Sequence, residues 1–170
     1  MEVWKGALEC PKNGITEIFC NDARLPAPVY GAFFRLNGPD GSSVADIYLH
    51  RPRDDSNKRR LPAHWREFML IKELMHCWSP PETFVGTPDK AAELLTDLNT
   101  LSGPFGSMAQ SDIIAVLAAA EVVLPYELCR HEMGRGKEPE QIGHEQSIHP
   151  AIAAYICRHD ILEWRKDGCL

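Results

Sequence analysis

WREFMLIKELMHCW, residues 65–78, is the stretch on which the reading of this chain turns. Wound at about 100° per residue, it puts Phe68, Ile71, Met75 and Trp78 on one stripe. Leu70 and Leu74 are apolar on the far side, so the helix is expected to be buried on most faces. Lys72 and His76 lie one turn apart at the edge of the stripe, and Glu73 lies just beyond them. Ionisable groups in such a place are costly unless they are paired or used. The stretch is either a site or a core helix with its charges satisfied.

Upstream of it the chain is strand-like. ITEIFC (15–20), VYGAFFRL (29–36) and VADIYLH (44–50) are rich in β-branched and aromatic residues. NGPDG at 37–41 reads as a hairpin connection, so residues 29–50 are expected to form two antiparallel strands. A polar loop follows, and Pro62 suits the first position of a helix running to about Trp78. Downstream, Thr87 is expected to cap a short amphipathic helix over 88–100, with Ala91, Leu94, Leu95 and Leu98 on one face. Ser107 and Gln110 have capping-box spacing at the start of a helix that Pro125 limits. A polar, Gly-rich run (134–147) then precedes a last helix near 149–165. This pattern predicts one α+β domain over residues 1–170: a small antiparallel sheet followed by helices.

With 44% apolar and 25% charged residues, the chain has the composition of a soluble globular protein. Its net charge of -6 speaks against a broad phosphate-binding surface. Lys58, Arg59 and Arg60, with Arg51 and Arg53, sit opposite Asp54 and Asp55 and read as a solvated loop. No apolar run approaches the ~20 residues of a membrane span, and MEVWKGALECPKNG lacks the apolar core of a signal peptide. The six cysteines (10, 20, 77, 129, 157, 169) have no Cys-x-x-Cys spacing and are expected to be free, mostly buried thiols. A cytoplasmic location follows as the expectation.

A His-Glu-x-x-His helix binds zinc because residues i and i+4 present two imidazoles to one ion, while the Glu reaches the metal-bound water. Here the corresponding run is Lys72-Glu73-Leu74-Met75-His76. Glu-x-x-His alone is common on ordinary helices. The second helix, DIIAVLAAAEVVLP (112–125), adds weight: Asp112 shares a face with Ala115, Val116, Ala119, Ala120 and Val123. The small alanines would let it pack closely on a neighbour. Taken by itself, Asp112 reads as an acid complementing the helix dipole.

Together these helices resemble the ImmA/IrrE family of metallopeptidases. In that family a strand hairpin precedes Arg-x-x-Phe-x-x-x-His-Glu-x-x-His, and a second helix carries Glu-x-x-Ala-Asn-x-Phe-Ala-x-x-Leu-Leu-Met-Pro. Glu73 and His76 match the first motif, and Ala115, Ala119 and Pro125 match the second, with Asp112 at the third-ligand position. QIGHEQSIHPAIAAYICRHDIL (141–162) is similar to the family's downstream segment, so the resemblance runs from about residue 29 to 165. It implies a zincin-like fold with an active-site-type helix, Glu73 as catalytic base, and zinc on His76 and Asp112. It also implies a protein partner, typically a helix-turn-helix transcriptional repressor that active members cleave.

Three departures alter that expectation. Lys72 replaces the first zinc-binding histidine, Asp112 is a methylene shorter than the usual ligand, and Val116 stands where the family has Asn. A protonated ammonium has no lone pair for zinc. Its natural role is an ion pair with Asp112, Glu73 or both, roughly where the metal would lie. A catalytic Lys72 with a pKa depressed by burial is a bolder option.

The expected function is a catalytically impaired pseudo-peptidase that binds a regulatory protein, with strand 44–50 pairing with an extended segment. One alternative is an active metallo-endopeptidase with a substitute ligand. Cys77 is rotated away from His76, His64 lies about 18 Å up the helix, and Cys129 and His131 reach only if the chain folds back. A second alternative is a nucleic-acid-binding regulator built on residues 142–165, whose basic residues are offset by Glu145, Asp160 and Glu163.

Overall fold

SVADIYLH, the strand Ser43–His50 (β3), buries alternate side chains along its length, and Ala45, Ile47 and Leu49 are all but sealed from solvent. Such a strand belongs at the centre of a sheet. In the computed structural model, which describes residues 9, 14–25, 29–37, 39–50, 62–80 and 107–166, it does lie there. Ile15–Ala23 (β1) and Gly31–Asn37 (β2) flank it in the order β1-β3-β2. The β2–β3 pair is antiparallel, as the turn at 37–41 predicts. β1 runs parallel to β3, from Ile15 opposite Ser43 to Ala23 opposite His50. The sheet is therefore mixed, and the antiparallel expectation fails at β1. A hairpin is a local signal, whereas the side on which β1 docks depends on contacts far away in sequence.

Six α-helices follow among the described residues: Ala63–Met75 (α1), Ser107–Val123 (α2), Tyr126–Gly134 (α3), Pro139–Glu145 (α4), Pro150–Ile156 (α5) and His159–Lys166 (α6). Pro62 precedes the first turn of α1 instead of opening it, and His76–Trp78 tighten into a 3-10 turn. Trp78, at the end of that turn, is exposed. The expected last helix is two. α5 closes at Cys157 and α6 restarts after Arg158, with no Gly or Pro at the break. The Gly-rich run also holds a helix, α4, whose first turn is tied by Gln141 Oε1 accepting from the Glu138 N–H at 3.1 Å. The expected helix at 88–100, the basic loop at 51–60 and the Ser107 cap lie outside the described side chains.

α1 is buried between two layers. Leu74, with Met69 and Leu70, packs on the sheet against Ile15, Ile18, Phe33, Ala45, Ile47 and Leu49. Phe68 faces the helical side, where it meets Ala119, Ala120, Leu124, Ile142, Ile152 and Ile156. Trp65, Phe68 and Tyr155 make mutual edge-to-face contacts with centroids 5.2–5.9 Å apart, fastening α1 to α5. Asp22 on β1 holds Arg66 of α1 in an ion pair. No helix among the described residues is long and apolar enough to cross a membrane.

α4 and α5 approach so closely that Gly143 leaves no room for a side chain. A Cβ there would lie 2.9 Å from Ala153 Cβ and 3.0 Å from the Ile148 carbonyl oxygen. Gly143→Ala is expected to cost about 1–2 kcal/mol by overpacking. A thermal melt checks it, and an unchanged Tm would mean the α4–α5 contact yields freely.

Candidate functional site

The end of α1 and the start of α2 meet beside β2. The alanine face of α2 makes the approach possible: Ala115, Ala119 and Ala120 are fully buried, so the two backbones come close and Asp112 is delivered to the last turn of α1. There Lys72 Nζ donates to Asp112 Oδ1 and, at 3.0 Å, to Glu73 Oε1. His76 completes the group, with Nε2 3.4 Å from Asp112 Oδ1 and 4.0 Å from Glu73 Oε2. All four residues singled out in the sequence are therefore brought together. The Lys72 and Glu73 side chains are 8% and 2% exposed, so this is a charged cluster inside the protein and not a solvated ion pair.

Burial alone would lower the Lys72 pKa, but the carboxylates of Glu73 and Asp112 outweigh it and hold the ammonium above its ordinary value. Burial would likewise raise Asp112, but Lys72 and His76 overcome it and keep the carboxyl well below the usual range. The two carboxylates thus favour the charged ammonium, which runs against a neutral catalytic amine. Cys77 points into the sheet-side core, and burial pushes its thiol up to about 12, against the pull of Arg35. It is a protonated core residue. His64 stacks on His149 at 3.5 Å, and His131 pairs with Glu132 at 2.9 Å. Cys129 sits in the helical core. None of these substitute ligands joins the cluster.

β2 contributes two residues that the motif reading overlooked. Gly31 faces Glu73 so closely that a Cβ would stand 2.5 Å from Oε1 and 3.0 Å from both Cδ and Cγ. A glycine inside a strand pattern, as in VYGAFFRL, is the signal that another group approaches the backbone. Phe33 lies against the His76 ring, with centroids 5.8 Å apart.

On the other flank, His76 Nδ1 is 3.3 Å from Ser79 Oγ, and Ser111 Oγ donates to Ser79 Oγ at 2.9 Å. Nothing in the sequence ties Ser79 to Ser111, which are 32 residues apart. Their hydroxyls fix the imidazole and open onto a cleft of about 440 Å³ walled by Met75, Trp78, Ile114, Ala115 and Ala118.

Two carboxylates, those of Glu73 and Asp112, hold the Lys72 ammonium, and the His76 imidazole stands beside the same two acids. Among the described residues no group of three or more His, Cys, Asp and Glu side chains is arranged to hold a metal. Chemically the cluster sets one positive charge, on Lys72, against two acids, and His76 is held from both ring nitrogens. By fold and site the chain is an α+β protein with a buried Lys–Glu–Asp–His cluster between two helices and β2, an outer strand among the described residues. No protein-family model matches it, and neither a curated protein nor a solved structure matches it significantly.

Proposed function

We propose that this is a zincin-like protein of the ImmA/IrrE type in which Lys72 has taken the place of the metal, and that it acts as a catalytically silent module binding a regulatory protein. The observation that carries the reading is the position of Lys72 Nζ between Glu73 and Asp112, with His76 at the rim. A zinc peptidase needs three protein ligands and an activated water. Here His76 and Asp112 remain as donors, and the centre between them is filled by a group that cannot coordinate. Glu73, the base of an active relative, is held by Lys72 and buried against Gly31.

The partner, by the same resemblance, is a helix-turn-helix repressor presenting an extended segment. Strand 44–50 cannot receive it, because β3 is paired along both edges. β2 takes over that role, since among the described residues it is an outer strand and it lies beside the cluster through Gly31 and Phe33. Leu36 and Phe34 on β2 are exposed.

Elemental analysis tests the reading. The purified parent is expected to carry no stoichiometric zinc, whereas Lys72→His is expected to take up close to one equivalent. Zinc near one per chain in the parent, lost in His76→Ala, would overturn the reading and restore the active endopeptidase.

A further inference from the structure

We propose that His64 and His149 form an acid-sensitive clasp: stacked as neutral rings they fasten the start of α1 to the start of α5, and protonation of the pair releases it. The rings lie 3.5 Å apart, centre to centre, and only 5° from parallel. Two neutral imidazoles can pack face to face in this way, whereas two imidazolium ions would hold like charges at van der Waals distance. Protons can reach the pair, since His64 is half-buried and His149 is exposed. It stands at the end of α1 remote from His76, outside the Lys72 cluster.

The helix ends on which the two rings sit add to the effect. His64 lies in the first turn of α1, which holds no acidic residue to offset a positive charge there. A cation in the first turn of a helix opposes the helix dipole. His149 is the N-cap of α5, and its Nδ1 accepts from the Ala151 N–H at 3.2 Å. An accepting ring nitrogen carries no proton, and adding one would turn it into a donor and undo the cap. Acid therefore acts on the stack and on the cap through the same ring.

The charges nearby leave this balance in place. Glu67 on α1 favours the protonated ring of His64, but burial, and behind it His149, outweigh Glu67 and hold the pKa below its ordinary 6.5. Arg66 is taken up by Asp22, Lys137 and Glu145 beside α4 by each other, and Arg158 after α5 by Asp160. His144 on α4 and His159 on α6 are exposed. Because the folded state holds the pKa down, the contribution of His64 is complete above pH 6.5 and is lost as pH falls through the folded value.

The test follows the histidine ring protons of the full-length chain by NMR across neutral and mildly acidic pH, in the parent and in His149→Asn. Asparagine keeps a capping oxygen while removing the ring and its charge. His64 is expected to titrate below pH 6.5 in the parent and at a higher pH in His149→Asn. Thermal midpoints give a second readout. On acidification the parent's should fall further than that of the double variant His64→Phe, His149→Asn. A His64 titration that His149→Asn leaves unmoved overturns the proposal. So does an acid loss of equal size in parent and double variant, because the pair would then carry no part of it.

Discussion

Lys72→Ala is expected to reduce the free energy of unfolding by about 3–5 kcal/mol, because it strands two carboxylates in a site built around a cation. Glu73 is almost completely buried and has Lys72 as its direct ionic partner at 3.0 Å. The variant should therefore melt well below the parent, and part of the loss should return when the acids are neutralised. In the triple variant Lys72→Met, Glu73→Gln, Asp112→Asn, most of the stability should reappear, since apolar or neutral replacement of a whole buried cluster is often close to neutral.

The dependence on pH follows from the two shifted groups. Asp112 is held below its ordinary value of 3.8, so its contribution is complete above that pH and is lost as pH falls through the folded pKa. Lys72 is held above 10.5, so its contribution is complete below that pH and is lost as pH rises through the folded pKa. Urea midpoints should thus differ between parent and Lys72→Ala by a constant amount across neutral pH. The gap should narrow in acid, where protonation relieves the stranded carboxylates. A variant that unfolds at the parental midpoint at neutral pH would show the cluster to be solvated and unimportant to the fold.

Gly31→Val carries the second large effect, about 3 kcal/mol, by a different route. The strand and α1 are so close that even the first added carbon overlaps Glu73 along three atoms, from Cγ to Oε1. The carboxylate can escape only by abandoning Lys72, so overpacking and the loss of a buried ionic partner act together. The two sites should couple strongly. In a Glu73→Ala background the same substitution should cost far less, and a double-mutant cycle measures the difference. Additive losses would mean that β2 moves away and that Glu73 never leaves its place.

The central helix and its charges were legible because their signals are local. Lys72 and His76 are four residues apart, Glu73 is adjacent, and the alanines of α2 recur at helical spacing toward Asp112. These repeats say which side chains share a face, and close packing of small residues brings the faces together. What the pattern could not carry was everything set across distance. β1 docks parallel to β3 because of contacts between residues 15–23 and 43–50, and no turn residue announces that choice. The break between α5 and α6 at Cys157 and Arg158 has no Gly or Pro to mark it, so the helical pattern reads through. Ser79 and Ser111 come together only because α1 and α2 do. Gly31 did leave a trace, a glycine within a run of strand formers, but its meaning depended on knowing that Glu73 would stand opposite.

The strand order has a consequence for how the molecule assembles. β2 and β3 close on each other across the short stretch between Asn37 and Ser43, an inexpensive loop. β1 precedes them in the chain but must find its place against the far edge of β3. Its pairing reaches from residue 15 to residue 50 and has the higher entropic cost. Of the three described strands β1 comes first in the chain, and β3, the strand it pairs with, comes last. The hairpin is the cheaper contact to close, and β1 completes the sheet at the greater cost.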